Sequence, residues 1–297
     1  MDHYSSFQNV LEYIDGHLSD EISVKQLAEI AGFSEWHFCR VFQWRIGYPV
    51  MDYVRSRRLA FAASELSSGG RILDIALEYG FSTHSGFSKA FRRYFGCSPE
   101  IYRLHARCAR PLPPSLPCME KYLIGGIVME PKFTTLPAVK LAGFMLKTTM
   151  ADGQNRSGIP AFWGAYMSDG RMERLHAESF VKDHAEYGAC FPEDPETGEF
   201  EYVIGVEPKD AADVPAGYRV CELPPATYAV FSTPPCTASD FVPCIHGVWD
   251  YIFNEWFPKS GYEYAPGGVD FERYDDRCMS DTGKVCDIYI PVIPKKD

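Results

Sequence analysis

Arg40 and Trp36 are two side chains suited to molecular recognition, four residues apart within the stretch 35–46. Apolar residues recur through this stretch at helical spacing and predict a helix with one buried face. The opposite face carries Trp36, Cys39, Arg40 and Gln43. A guanidinium presents paired donors that match two neighbouring acceptors, such as O6 and N7 of guanine, and an indole can pack on a thymine methyl. The chemistry predicted for this face is contact with base edges.

A repeated turn positions that face. The sequence A-G-F-S-E-W-H-F at 31–38 returns as Y-G-F-S-T-H-S-G at 79–86. A short amphipathic segment precedes each turn and another follows it. Glycine suits the left-handed position that ends the first helix, and serine suits the cap of the second, so each copy predicts a helix-turn-helix. This duplication points to double-stranded DNA as a partner.

A predicted long helix at about 50–67 joins the two motifs. A helix of ~18 residues rises ~27 Å, which with its flanks approaches the ~34 Å repeat of the duplex. The chain is therefore predicted to read two consecutive major-groove segments. The outward face of the second motif holds shorter or weaker base readers, which predicts looser recognition there: Thr83, His84, Ser85, Ser88 and Lys89. Phosphate contacts are predicted for Arg55, Arg92 and Arg93.

The charge of the chain differs between its two parts. Its 297 residues carry a formal net charge of −11. Residues 1–110 hold 13 Lys and Arg against 12 Asp and Glu, whereas residues 111–297 hold 16 against 28. An acidic protein repels nucleic acid in general, so DNA binding must depend on the local basic clusters at 55–58 and 89–93. The acidic part is expected to do something else.

Several classes of protein are not expected from this composition. The sequence has no run of 18 apolar residues and no secretory signal pattern, so we expect no membrane partner and a cytoplasmic location, nucleoid-associated when DNA is bound. No phosphate loop, Ser/His/Asp set or nucleotide fingerprint occurs, so no cofactor and no catalytic residue are predicted.

Metal and redox chemistry have little support from the spacing of possible ligands. The ten cysteines lack zinc-finger spacing and are expected to be reduced thiols in core gaps, with a redox or metal sensor as the alternative. His176 and His184 are near each other in the sequence but have no further ligand beside them, so no metal site is predicted.

A proline-rich stretch, R-P-L-P-P-S-L-P at 110–117, predicts a linker between two domains. The predicted division is a DNA-binding domain at 1–108, a linker at 109–131 and a second domain at 132–297. The fold class is α+β multidomain, with an all-α tandem helix-turn-helix first and a duplicated β-α-β-β antiparallel sheet second, helices on one face. The predicted strands of the second domain are 138–148, 186–191, 201–207, 218–231, 269–274 and 286–293, and its predicted helices are 160–175 and 239–256.

Residues 5–105 resemble the AraC/XylS family of transcription regulators. The resemblance is carried by L-A-E-I-A-G-F-S at 27–34, Y-V-R-S-R-R-L at 53–59, I-L-D-I-A-L-E-Y-G-F-S at 72–82 and F-S-K-A-F-R-R-Y-F at 87–95. It implies two helix-turn-helix units on the long helix, with bases read from positions matching Trp36, Cys39 and Arg40. Cys39 departs from the longer polar side chains common at its position, which implies less strict reading there.

Residues 132–294 are similar to the GyrI-like effector-binding domain. The carrying segments include E-Y-V-I-G-V-E-P at 201–208, A-T-Y-A-V-F at 226–231 and D-F-E-R-Y at 270–274. The resemblance implies a small-molecule pocket with Glu272 at its bottom. Strand alternation places Glu272 and Tyr274 on one face, and a carboxylate among aromatic rings attracts a flat organic cation. The candidate pocket walls are Trp163, Tyr166, Trp249, Phe253, Trp256 and Tyr262.

Three functions stay open at this point. The leading prediction is a transcription regulator that responds to a hydrophobic or cationic effector. Bound effector could raise DNA affinity, change contact with RNA polymerase or only stabilise the protein. The alternatives are a hydrolase of reactive small molecules that uses Glu272 with a tyrosine, and a ligand-free protein-interaction module.

Overall fold

The computed structural model describes residues 3–46, 48–106, 111, 129–194, 197–279 and 283–295. The chain divides into two compact units, residues 1–128 and 129–297. Most of the predicted linker at 109–131 lies outside the described residues. Within the described ranges, no helix is long and apolar enough to cross a membrane.

Helices make up the described part of the first unit, as predicted. They are α1 (His3–Gly16), α2 (Val24–Ala31), α3 (Glu35–Ile46), α4 (Val50–Leu66), α5 (Ile72–Glu78), α6 (His84–Phe95) and α7 (Pro99–His105). Phe7 of α1 packs on Phe38 and Phe42 of α3, and Phe91 of α6 packs on Tyr102 of α7. All five rings are buried, so each helix-turn-helix has an aromatic core of its own.

Left-handed glycines end the first helix of each motif. Gly32 has φ +74° and Gly80 has φ +76°, in the region where other residues are strained. A side chain at position 80 would also come within 2.7 Å of the Arg58 guanidinium. The next helix is capped differently in the two copies: Ser34 accepts from the His37 N–H, whereas in the second copy Thr83 is the cap and accepts from the Gly86 N–H at 3.1 Å. The prediction that serine caps both helices is wrong for the second.

Helix α4 connects the two motifs, since it packs against α3 and against α5, α6 and α7. Two of the three arginines in the basic cluster at 55–58, which was expected to serve DNA binding, are engaged within the unit. The Arg57 guanidinium pairs with the Asp15 carboxylate of α1, with Nε 2.8 Å from Oδ1. Arg58 donates from Nη2 to the carbonyl oxygen of Asp20 at 2.5 Å. Both side chains satisfy polar groups inside the unit, and Arg55 remains exposed.

The second unit is an antiparallel sheet with helices. Its elements are β1 (Lys132–Leu136), β2 (Val139–Thr149), α8 (Gln154–Ser168), α9 (Arg171–His176), β3 (Val181–Cys190), β4 (Glu199–Pro208), β5 (Arg219–Leu223), β6 (Ala226–Ser232), α10 (Phe241–Tyr251), α11 (Phe257–Lys259), β7 (Tyr262–Tyr264), β8 (Asp270–Tyr274) and β9 (Asp287–Pro294). A π-helical turn at Ile252–Trp256 joins α10 to α11. The strands follow the order β1-β6-β9-β8-β3-β4-β2-β5, and β7 pairs with the end of β9.

This order contains the predicted duplication. One half supplies β3, β4 and β2, the other supplies β8, β9 and β6, and the halves meet where β3 pairs with β8. The outer strands are exchanged, because β1 precedes β2 in the chain but pairs with β6, while β5 precedes β6 but pairs with β2. The candidate site lies at the junction of the two halves.

The two faces of the sheet have different contents. Tyr166 of α8 and Trp249 of α10 contact Glu186 of β3 and Glu272 of β8, so both helices lie on one face, as predicted. The other face holds a buried cluster that includes Tyr187, Phe271 and Tyr228.

The predicted elements of the second unit differ from the structure in three details. The single strand at 218–231 is divided into β5 and β6 by Pro224 and Pro225, since neither proline can donate to a ladder. The short edge strand β1 and the short strand β7 were not predicted. The predicted helix at 160–175 is likewise two helices, α8 and α9, separated at Asp169 and Gly170.

Candidate functional site

The outward face of α3 presents Trp36 and Arg40 together. Trp36 is 68% exposed, and the Arg40 guanidinium carbon lies 4.7 Å from the centroid of the indole ring. Phe38 and Phe42, on the opposite face, are fully buried and hold the helix against α1. The exposed tryptophan is therefore not core packing. Cys39 beside it is half-buried.

The corresponding face of α6 offers fewer free donors than the sequence predicted. Thr83 is engaged as the cap, and the hydroxyl oxygen of Ser88 is buried in the unit. His84 lies with Nε2 3.7 Å from the Glu100 carboxylate. Ser85 and Lys89 are exposed. Of the five predicted base readers on this helix, these last two have the clearest access to a partner.

The predicted phosphate contacts are at two places. Arg55 is exposed on α4, where its guanidinium lies 3.3 Å from the Asp52 carboxylate. Arg92 and Arg93 lie in the last turn of α6. Arg93 is exposed, and Arg92 is half-buried.

In the second unit, the carboxylate of Glu272 is held between two neutral donors. The Trp249 indole N–H donates to Oε1 at 2.7 Å, and the Tyr274 hydroxyl donates to Oε2 at 2.7 Å. Burial, and next the charge of Glu272, raise the pKa of Tyr274 well above its usual value, so the hydroxyl stays a donor. Hydrogen bonds to a charged carboxylate are shorter and stronger than neutral ones, so these two contacts orient the Glu272 side chain.

Both halves of the sheet contribute to the surroundings of Glu272. Gly188 lies directly opposite it in the β3–β8 pair. A Cβ at Gly188 would lie 2.3 Å from the Tyr202 hydroxyl and 3.1 Å from the Trp163 ring, so only glycine leaves room for these two side chains. The Trp163 indole N–H donates to the Tyr202 hydroxyl at 2.9 Å. The Trp163 ring also lies edge-on to Tyr274 at 5.1 Å.

Tyr202 and Gly188 were not identified from the sequence. Burial, and then the charge of Glu272, raise the pKa of Tyr202 well above its usual value, which places this hydroxyl in the field of the same carboxylate. The available signal was the alternation of β4, which puts Tyr202 on the helix-facing side of the sheet. Phe241, at the start of α10, was also missed, and its ring lies 6.2 Å from that of Tyr274.

The other predicted wall residues lie elsewhere in this unit. Tyr166 is buried and donates to Glu186 rather than to Glu272. Phe253 is buried and stacks on Trp249, 6.1 Å away. Trp256 and Tyr262 stack on each other at 6.1 Å, and Tyr262 also stacks on Phe133 of β1. Among the predicted walls, Trp249 therefore contacts the carboxylate directly, and Trp163 contacts Tyr274 beside it.

Arg273 faces away from Glu272, as strand alternation predicts. Its guanidinium lies 2.8 Å from the Asp275 carboxylate and 3.4 Å from the Tyr187 hydroxyl, which belongs to the cluster on the opposite face. Arg273 therefore pairs on the face of β8 opposite to Glu272.

Comparison with known proteins gives a separate match for each unit. A family model described as "Integron-associated effector binding protein", Cass2, matches residues 132–292, and a helix-turn-helix domain model matches residues 27–105. The transcriptional activator AarP of Providencia stuartii is 39% identical over 101 residues, which are 34% of this chain and 75% of that protein. Regulatory protein SoxS of Escherichia coli K12 is 36% identical over 104 residues, 35% of this chain and 97% of SoxS.

Other relatives are longer than the matched segment. The chain covers 36% of the right origin-binding protein of Escherichia coli K12, at 38% identity. Among solved structures, SAV2435 bound to tetraphenylphosphonium superposes with a TM-score of 0.45 and 22% identity, over 56% of this chain and 94% of that one.

Proposed function

Since the chain belongs to the Cass2 family through its second unit and to the AraC-type transcription regulators through its first, we propose that it couples promoter recognition by Arg40 and Trp36 to binding of an organic cation at Glu272. The two family matches identify an AraC-family transcription regulator with an effector-binding domain. The relatives of the first unit are transcription regulators, which are not enzymes. The residues, the effector class and the coupling are our proposal.

The single observation that carries the effector class is the environment of the Glu272 carboxylate. Two neutral donors hold it, and the indole of Trp249 and the ring of Tyr274 border it. A cationic aromatic compound gains charge attraction and cation–π contact in such a place, whereas an anion is repelled. These features support a flat organic cation as effector.

The proposal for DNA assigns base reading to the α3 face and backbone contact to the exposed arginines. Arg40 stacked on Trp36 is preorientated, which lowers the entropy lost when its paired donors bind guanine. On α6, Ser85 and Lys89 are accessible to DNA. His84, Thr83 and Ser88 are less suited to contact bases, because their polar groups are engaged or buried within the unit. Recognition is therefore expected to be stricter in the groove segment facing α3. Nucleoid association would follow from such binding.

We expect Arg40→Ala to lose sequence preference at one base pair. The difference in binding free energy between the specific and the scrambled sequence should shrink by about 1–3 kcal/mol, because a bidentate contact to a base edge is removed. Arg40→Lys is the matched control for charge: it should retain general affinity and salt dependence but not the preference. Arg55→Ala should instead weaken both sequences equally. An unchanged difference in Arg40→Ala would refute the assignment.

The test of the whole proposal is selection of bound DNA from a random pool, with and without a panel of organic cations. One selected motif spanning two consecutive major-groove segments is expected. A compound that changes the affinity for that motif supports direct coupling. A compound that binds without changing it, and alters transcription in the presence of RNA polymerase, supports coupling through polymerase contact.

The hydrolase alternative has one observation in its favour, the hydrogen bond between Tyr274 and Glu272. Product analysis after incubation with each compound separates the two functions. Turnover that Glu272→Gln abolishes would support the hydrolase, and intact compound supports the effector. Failure of the whole panel to bind would favour a ligand-free interaction module.

A further inference from the structure

Two histidines of the second unit point their rings at each other. His176 is the last residue of α9 and His184 lies on β3, and their Nδ1 atoms are 3.0 Å apart. The other ring nitrogen of His176, Nε2, lies 2.8 Å from Oε1 of Glu186. That oxygen also accepts from the buried Tyr166 hydroxyl at 2.5 Å. The four side chains form a continuous hydrogen-bonded series from the interior to the surface.

The proton positions in this series follow from the chemistry of its members. A carboxylate accepts only, so Nε2 of His176 carries the proton and donates to Glu186. In a neutral imidazole the remaining nitrogen then has a free lone pair. Nδ1 of His176 is therefore an acceptor, and it is directed at the exposed ring of His184.

This arrangement is the one that metal-binding histidines adopt. A histidine that ligates a metal usually donates its other N–H to a carboxylate, which fixes the ring and makes the ligating nitrogen more basic. Glu186 does this for His176, and the two side chains are 15% and 21% exposed, so the pair is sheltered. Neighbouring ligands with metal–nitrogen bonds of about 2.0–2.1 Å lie roughly 3.0–3.4 Å apart. The observed 3.0 Å is at the short end of that range.

The backbone around His184 also departs from a regular strand. The register of β3 against β4 shifts between Val181 and Glu186, and His184 lies inside this irregular stretch. Bulges of this kind re-aim a side chain and are common beside functional sites.

We propose that His176 and His184 bind a divalent transition-metal ion of the class that prefers imidazole, such as Zn²⁺, Co²⁺ or Ni²⁺, through their Nδ1 atoms. Glu186 orients His176, and water completes the coordination. On binding, the His184 proton moves from Nδ1 to Nε2, so no net proton is released. The ion would tie α9 to β3 beside Tyr166, whose ring is 5.9 Å from Trp163 of the Glu272 site.

The test is binding of Zn²⁺ to the full chain, by competition with a chromophoric chelator, together with the visible spectrum of the Co²⁺ form. We expect one ion per chain and a Co²⁺ spectrum without thiolate charge-transfer bands. His184→Ala should weaken Zn²⁺ binding by more than about 100-fold, since it removes a ligand rather than a supporting group. Glu186→Gln should weaken it by about 10–100-fold with the stoichiometry kept.

His37→Ala is the matched control, because His37 is an exposed histidine of the other unit, and it should bind Zn²⁺ as wild type does. His184 is exposed, so its variant should keep the wild-type circular dichroism. Wild-type affinity in both His176→Ala and His184→Ala would overturn the proposal. So would thiolate bands in the Co²⁺ spectrum, or an absence of Zn²⁺ binding below millimolar concentration.

Discussion

Glu272→Gln is expected to remove binding of organic cations while leaving the fold in place. The dissociation constant for ethidium, a flat aromatic cation, should rise at least about 30-fold, since loss of a sheltered charge partner costs about 2 kcal/mol or more. The change keeps the size of the side chain. One of the two donors, Trp249 or Tyr274, then meets an amide NH₂ instead of an acceptor. Ethidium fluorescence titration of the DNA-free protein measures the effect.

Two comparisons make this result specific. Phenanthridine has a similar ring system without the charge, and it should bind wild type and Glu272→Gln equally weakly. Glu222→Gln removes an exposed carboxylate from β5 of the same sheet and should bind ethidium as wild type does. Unchanged ethidium affinity in Glu272→Gln would contradict the proposed effector site. It would leave the proposal for DNA binding by the first unit standing.

Asp15→Ala is expected to lower the stability of the DNA-binding unit more than any exposed charge change. The carboxylate accepts two hydrogen bonds from Arg57, and the side chains of the pair are 13% and 16% exposed. Removing the carboxylate leaves a sheltered guanidinium without its counter-charge, so the free energy of unfolding should fall by about 3 kcal/mol. This is the lower end of the cost for a buried pair, because some solvent reaches the two side chains. Urea unfolding of the full chain, followed by helical circular dichroism, measures the change.

The control is Asp20→Ala, in which an exposed carboxylate nearby is removed. Its effect should stay within about 0.5 kcal/mol, as is usual for surface substitutions. The double variant Asp15→Ala/Arg57→Ala should be less destabilised than the sum of the two single variants, since neither charge is then left alone. A loss below 0.5 kcal/mol in Asp15→Ala would mean that the pair contributes little to this unit.

Local patterns in the sequence were enough to predict the helices of the first unit and the order of the main strands and helices of the second. Helical periodicity and the G-F-S turns depend on neighbours within a few residues, and the positive φ of Gly32 and Gly80 follows from the turn itself. The duplicated sheet is equally visible, because its strands alternate. Strand β1 was missed because K-F-T-T-L is short and lacks clear alternation.

Contacts between distant segments were not predictable in the same way. Two such features depend on how the helices cross: the burial of the Ser88 hydroxyl and the pairing of Arg57 with Asp15. Gly188 gives no sign in the sequence that Trp163 and Tyr202 will occupy its space. His176 and His184 were noted without a further partner, because the contact of Glu186 with His176 joins β3 to α9 and depends on how that helix packs on the sheet.

The exchange of outer strands between the two halves of the sheet has a consequence for synthesis on the ribosome. Strand β1 cannot pair until β6, at residues 226–232, has been translated, and β6 pairs in turn with β9, at residues 287–294. The helices of the first unit contact mostly near neighbours and can fold as they emerge. A nascent chain is thus expected to have a folded DNA-binding unit well before its effector-binding unit can close. If one half of the sheet is deleted, the other half loses the outer strand that pairs with it.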